Sequence, residues 1–202
     1  MQLLVQSTKL GEGRKVIIYK DNLSFPEKSL ILVDEKDNII GYEAKKRCHQ
    51  GEGLLHRAFS IFILNDKKQL LIQKKSNKKT LWPMYWSNSV CSHPFQGEKI
   101  EDAAERRLKE ELGLETRVKY VFKFQYKARF GEIGVEHEIC YVFMGIGDGN
   151  IRPNIKEVAE WEYIDLETLN NNIAMQSNKY TPWFKLEWER IQKEGYIKII
   201  RS

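Results

Sequence analysis

The chain predicts an α+β fold, helices packed on a mixed β-sheet as an α/β/α sandwich, and three observations carry that expectation. Apolar runs of strand length dominate the first three quarters, one well-marked amphipathic helix interrupts them, and two more helical segments close the chain. In order, Val16–Tyr19, Leu30–Val33, His56–Leu64 and Leu70–Gln73 read as strands, the last two separated by a turn at Asn65-Asp66. From Glu98 to Leu112, the residues Ile100, Ala103, Ala104, Leu108 and Leu112 recur at helical spacing. Acids fill the first turn of that helix, and Gly113 stands where it should stop. Val135–Met144 and Trp161–Ile164 are further strands, with the glycine-bearing stretch Gly145–Asn150 between them. Leu166–Asn171 and Trp183–Lys193 complete the helices, and the sequence has no internal repeat or low-complexity segment.

A length of 202 residues suits one domain with enough interior for a pocket that excludes water. The composition, 42% hydrophobic and 30% charged, is ordinary for a soluble protein. No stretch approaches the roughly 20 apolar residues of a membrane span, so no membrane partner is expected. The start, MQLLVQSTKLGEGRK, lacks a basic segment ahead of a long apolar core, and a cytoplasmic location is expected. Cys48, Cys91 and Cys140 form an odd, sparse set that fits a reducing compartment, so any special cysteine is chemical or metal-binding. Basic residues outnumber acidic ones 33 to 28, a net charge of +5, and lysines pair at Lys45-Lys46, Lys67-Lys68, Lys74-Lys75 and Lys78-Lys79. Such pairs suit an anionic ligand; the plainer alternative is a solvated basic surface. No RNP, zinc-finger or basic-helix pattern accompanies the charge, and no nucleic-acid partner is expected.

The chemistry concentrates in a few tracts. Trp86–Pro94 places Cys91 and His93 two residues apart, on one side of an extended chain. Glu136-His137-Glu138 lies inside an apolar strand, whose period of two sends both carboxylates to one face and His137 to the other. Carboxylates forced together repel, and the remedies are a shared proton, a cation or a metal. His49 and His56, just before and at the start of a strand, and His93 supply three imidazoles. With Glu136 and Glu138 they make five ligands and leave one octahedral position open. Two alternatives stand beside this. The carboxylates line a solvated sheet face, or Cys48, His49, Cys91 and His93 form a tetrahedral zinc site, which lacks the usual paired-cysteine spacing.

Six tracts in order carry a resemblance: Lys45-Lys46-Arg47-Cys48-His49, His56-Arg57-Ala58-Phe59, Trp86–Pro94, Tyr126-Lys127-Ala128, Glu136-His137-Glu138 and Thr181-Pro182-Trp183-Phe184. From about Ser29 to Lys185 the chain closely resembles the type I isopentenyl-diphosphate isomerases, flavin-independent enzymes of the Nudix-like superfamily. The segment from Glu98 also resembles a Nudix box, G-x5-E-x7-R-E-U-x-E-E-x-G-U with U aliphatic. Glu98, Arg106, Leu108, Glu110, Glu111, Gly113 and Leu114 fall in register. Ser92 replaces the first glycine, however, and Arg107 the first paired glutamate. Exchanging that carboxylate for a guanidinium suits holding a diphosphate without cutting it.

The resemblance implies a Nudix-like mixed sheet flanked by helices, in a single catalytic domain over residues 26–202 that follows an N-terminal extension, residues 1–25. It implies interconversion of isopentenyl and dimethylallyl diphosphate through a tertiary carbocation-like species, for isoprenoid synthesis. Cys91 and Glu138 then handle the protons on opposite sides of the carbon chain, with Tyr126 hydrogen-bonding on the glutamate side; which of the two protonates first is left open. His49, His56, His93, Glu136 and Glu138 bind one divalent metal, zinc, manganese or magnesium. Glu111 helps hold a Mg2+ that bridges to the diphosphate, which Lys45, Lys75, Lys79 and Arg107 grip. Trp183 presents its ring to the developing cation, an interaction of roughly 2 kcal/mol when desolvated, the alternative being plain core packing. A monomer or weak homodimer is expected. Two rivals remain: a Nudix hydrolase, favoured by Glu110-Glu111 but opposed by Arg107, and a non-enzymatic, metal-stabilised module that binds an acidic partner.

Overall fold

A computed structural model describes residues 6–10, 14–18 and 29–199. In chain order its elements are β1 (Gln6–Leu10), β2 (Arg14–Ile18), β3 (Ser29–Val33), β4 (Ile39–Ala44), the single turn α1 (Lys45–Cys48), β5 (His56–Leu64), β6 (Leu70–Lys75), β7 (Trp86–Ser87) and β8 (Val90–Ser92). Then follow α2 (Ile100–Leu112), β9 (Val118–Phe130), β10 (Gly134–Ile146), β11 (Val158–Ile164), α3 (Leu166–Met175), α4 (Pro182–Lys193) and α5 (Tyr196–Ile199). The main sheet runs β11-β6-β5-β10-β9, with β3, β4, β7 and β8 attached at its margins. Because β5 and β10 run parallel and the other pairs antiparallel, the sheet is mixed, as expected.

The nine residues of β5, HRAFSIFIL, explain the layering. Ala58, Phe62 and Leu64 join Leu169 of α3 and Phe184, Trp188 and Ile191 of α4 in one core. Phe59, Ile61 and Ile63, on the alternate face, join Ala103, Ala104, Leu108 and Leu112 of α2 in the other. A strand apolar on both faces needs a helix layer on each, and the chain supplies them, making the α/β/α sandwich. Each large aliphatic or aromatic side chain fully buried this way contributes about 1.5–3 kcal/mol. Helix α2 begins at Ile100 rather than Glu98, and ends as expected at Gly113, whose φ of 67° is the left-handed conformation a side chain resists.

Four strands that the apolar runs do not reveal, β4, β7, β8 and β9, complete the sheet. β9 pairs along β10 from Phe130 to Val118 as an edge strand, and its outward positions carry Lys119, Lys123, Lys127 and Arg129. β4 is likewise an edge, paired only with β3. Charge on the open side of an edge breaks up the apolar run and also discourages pairing with other chains. The expected strand Val16–Tyr19 corresponds to β2, which pairs with β1 in a separate two-stranded sheet; Tyr19 lies outside the described residues. So does the expected N-terminal extension, apart from these two strands.

One irregularity positions the site. β5 and β6 pair only at Ile63–Leu71 and Leu64–Leu70 and then diverge. The tract Trp86–Ser92 fills the gap, β7 pairing with β6 and β8 with β5. Its fully buried polar side chains replace the missing ladder. The Ser89 hydroxyl donates to the Leu71 carbonyl at 2.6 Å and accepts from the Ile63 amide at 2.8 Å. The Asn88 amide donates to the carbonyls of Ile61 and Val90, at 3.3 and 2.6 Å.

Candidate active site

Glu136 and Glu138 of β10 point to one face, as their spacing requires, and three imidazoles meet them there. His49 caps the C-terminus of α1, His56 opens β5 directly opposite Glu138, and His93 follows β8. Ligand-capable atoms of these five buried residues all lie within 4.8 Å of one another. Two backbone carbonyls set the tautomers: His49 Nδ1–H donates to Lys45 O at 2.6 Å, and His56 Nδ1–H to Leu54 O at 2.7 Å. Each Nε2 then presents a lone pair inward. His49 Nε2 sits 2.7 Å from Glu136 Oε2, so two acceptors face each other, and both are buried without a hydrogen bond. His56 Nε2 is also without one. Burial, with Lys45 and the other two imidazoles, pushes His93 well below the usual imidazole range and keeps it neutral. Converging lone pairs of two imidazoles and two carboxylates, with His93 Nε2 2.9 Å from Glu138 Oε1, fit a divalent cation, and Cys48 takes no part: its thiol faces the Glu43 carbonyl, and burial pushes it up to about 12. The four-ligand Cys/His zinc alternative therefore fails.

Beside this cluster lies a cavity of about 540 Å³, walled by Lys45, Lys75, Lys79, Cys91, His93, Glu111, Tyr126, Glu136, Glu138 and Trp183, among others. Cys91 is paired to one edge of β5, at Ser60, and Glu138 to the other, at His56. Two strand spacings across and four residues along β5 put their backbones roughly 16 Å apart, which leaves room for a short carbon chain between the two side chains. Burial pushes the Cys91 thiol up to about 11, against the pull of Lys75 and Lys79, so it is S–H at neutral pH. Burial also acts to raise Glu138, but the imidazoles that face it and the Tyr126 hydroxyl outweigh it and hold the carboxyl below its usual range. Tyr126 donates its hydroxyl to Glu138 Oε2 at 2.6 Å, and burial, with the Glu138 charge, keeps that phenol protonated.

Trp183 is 2% exposed, and the Lys75 ammonium lies 4.8 Å from its ring centroid, a cation–π contact. Trp82 packs edge-on against it, at 5.1 Å between ring centroids, from a turn where both Trp82 and Met84 hold positive φ. Bulky residues in that conformation store strain of order 1–3 kcal/mol.

Part of the charged rim is already paired. Arg107 lies behind the wall rather than in it, reaching Glu110 at 2.7 Å, Glu111 at 2.5 Å and Glu157 at 3.3 Å. Lys79 also pairs with Glu157. Sequence reasoning singled out neither Glu157 nor Gln73, both of which line the cavity. Glu157 stands in an unremarkable loop, and its only signal was an acid just ahead of a strand. Gln73 ends a strand-like run in which a lone polar residue carries no message.

A NUDIX domain model matches residues 54–184. The chain is 42% identical over 173 residues to the isopentenyl-diphosphate Delta-isomerase 1 of Photorhabdus laumondii, covering 85% of this chain and 98% of that one. It is also 42% identical over 164 residues to an isopentenyl-diphosphate Delta-isomerase of Burkholderia multivorans, covering 81% and 93%. Among solved structures, DR0079 from Deinococcus radiodurans superposes with a TM-score of 0.61 at 24% identity, over 74% of this chain and 90% of that one, a likeness of fold.

Proposed function

The chain belongs to the isopentenyl-diphosphate Delta-isomerase family and interconverts isopentenyl and dimethylallyl diphosphate, and on that premise we propose that Cys91 and Glu138 move the two protons. The observation that carries this reading is their position: strands on opposite edges of β5 aim both side chains into one cavity. Going from isopentenyl to dimethylallyl diphosphate, one group gives a proton to the terminal methylene carbon, leaving a tertiary cation at the branched carbon. The other takes a proton from the carbon between that centre and the CH2–O, and the alkene re-forms one bond along. Turnover leaves the donor one proton short and the acceptor one proton richer, so that proton returns to the donor, through solvent or a relay, before the next cycle.

Keeping water off the cation matters, because capture would give an alcohol. Tyr126, Trp183 and Leu81 give the cavity an apolar wall, and the Trp183 ring is the face offered to the developing charge. Tyr126 orients Glu138 by its hydrogen bond. Lys45, Lys75 and Lys79 hold the diphosphate, with Arg107 ordering Glu111 and Glu157 behind them. NUDIX proteins depend on divalent metals; His49, His56, His93, Glu136 and Glu138 would hold one and Glu111 would help hold Mg2+, and such ions would supply the charge to polarise the Glu138 carboxyl and to offset that of the diphosphate. Zinc, manganese and magnesium all suit the His/Glu set. No helix of the described residues is long and apolar enough to cross a membrane, and the three cysteines are unpaired, which supports a cytoplasmic enzyme. We place the catalytic domain at residues 26–202 and expect a monomer or weak homodimer.

Incubation with isopentenyl diphosphate and Mg2+ in deuterated water tests the assignment. Dimethylallyl diphosphate carrying solvent deuterium, lost in Cys91→Ala, is the expected result. Full labelling by the Cys91→Ala protein refutes its role, and released phosphate instead of isomer indicates a hydrolase.

A further inference from the structure

Gln73 of β6 is 2% exposed and lines the cavity two residues before Lys75. Its Nε2 donates to Glu111 Oε2 at 3.1 Å, while Arg107 donates to Glu111 Oε1 at 2.5 Å, so the carboxylate is clamped from both sides. The contact also fixes the amide, because the reverse orientation would set the Gln73 carbonyl oxygen against a carboxylate oxygen. That leaves Gln73 Oε1 buried with no partner. An unsatisfied buried acceptor is destabilising, so something that donates or is positively charged should meet it when the site is loaded. Of the cations nearest it in the chain and the cavity wall, Lys75 lies over the Trp183 ring and Lys79 pairs with Glu157. A hydrated magnesium ion fits what remains: it takes oxygen ligands, and its retained waters are hydrogen-bond donors.

We propose that Gln73 is a magnesium-site residue, which clamps the Glu111 carboxylate and offers its own carbonyl oxygen to the hydrated Mg2+ that joins Glu111 to the substrate diphosphate. This rests on the reading of Glu111 given above. The residue serves two functions: its N–H selects the Glu111 orientation, and its oxygen adds a neutral acceptor that does not repel the diphosphate as a third carboxylate would.

The test is calorimetric titration of Mg2+ into protein whose His/Glu site is loaded with zinc, at fixed inorganic diphosphate. Gln73→Leu should weaken Mg2+ binding about ten- to a hundredfold, as loss of a supporting partner typically does, with zinc content unchanged. Gln73→Glu, which keeps an oxygen but loses the N–H, should recover part of that loss, and it keeps the test open should the leucine variant fold poorly. Glu111→Gln is the control for the underlying reading. If it weakens Mg2+ while Gln73→Leu and Gln73→Glu both bind like wild type, the Gln73 proposal falls and Glu111 stands. If none of the three changes the titration, the Glu111 reading falls and this one with it.

Discussion

Glu138 receives a phenol hydroxyl on one oxygen and faces two imidazoles with the other, so its carboxylate is held rigid. Replacing it by Gln, or Cys91 by Ala, should reduce turnover by about 10²–10⁴-fold, the usual loss for a general acid or base, with the circular dichroism spectrum unchanged. A rate within a factor of three of wild type for either variant would exclude that residue. Deeper on the same face, Glu187 of α4 is 1% exposed and contacts the Cys140 thiol at 3.4 Å. Burial, reinforced by the Glu138 charge and opposed by hydrogen bonds from Ser60 and Cys140, pushes its carboxyl up to about 8. The unfolded chain ionises it near 4.5, so between these values the folded state binds the extra proton. Its stabilising contribution is therefore present below about 4.5 and lost as pH rises through about 8. Glu187→Gln should melt above wild type near pH 9, the gap closing toward about pH 4; parallel melting curves across that range would refute the assignment.

The wedge between β5 and β6 shows how an element makes a site. A regular ladder there would leave no place for a cysteine, whereas the inserted tract carries Cys91 to the cavity on a strand that side-chain hydrogen bonds hold in place. Ser89→Ala strands the Ile63 amide and the Leu71 carbonyl in the core and should lower unfolding free energy by about 1–3 kcal/mol, measurable by urea denaturation. An unchanged midpoint would mean that other contacts hold the wedge. At the start of β10, Gly134 lets that strand approach α1: a Cβ there would lie 2.8 Å from the His49 carbonyl, a backbone atom that cannot step aside. Gly134→Ala should push His49 away from Glu136 and lower metal content at fixed free metal. Retention of full metal occupancy would show that the approach can relax.

Across the whole molecule the five candidate ligands come from four segments: the end of α1, the start of β5, the stretch after β8, and β10. A cation bound there ties these segments together in the folded state only, so it stabilises by mass action. Chelation should lower the melting temperature, and re-addition of a divalent cation should restore it. If chelated and reloaded protein melt together, the cluster does not bind metal tightly in the folded state. The same convergence explains why two carboxylates tolerate one buried site, since without a cation their repulsion would have to be relieved by protonation.

The spacing of Glu136 and Glu138 and the burial of β5 on both faces follow from the period of a strand, and the α2 helix with its stop at Gly113 follows from helical spacing and glycine's conformational freedom. These were legible in the chain because they depend only on near neighbours. The six family-like tracts likewise named His49, His56, Cys91, His93, Tyr126, Glu138 and Trp183 before any geometry was known. Edge strands β4 and β9 escaped, since an edge has only one neighbour to bury against and its charged positions mask the period. Tertiary structure alone decided that Arg107 stands behind the wall, that Glu157 already holds two cations, and that Gln73 clamps Glu111 across 38 residues of chain. Those contacts join segments far apart in sequence, and which distant groups meet depends on how strands twist and diverge, a property of the packed sheet that no local pattern encodes.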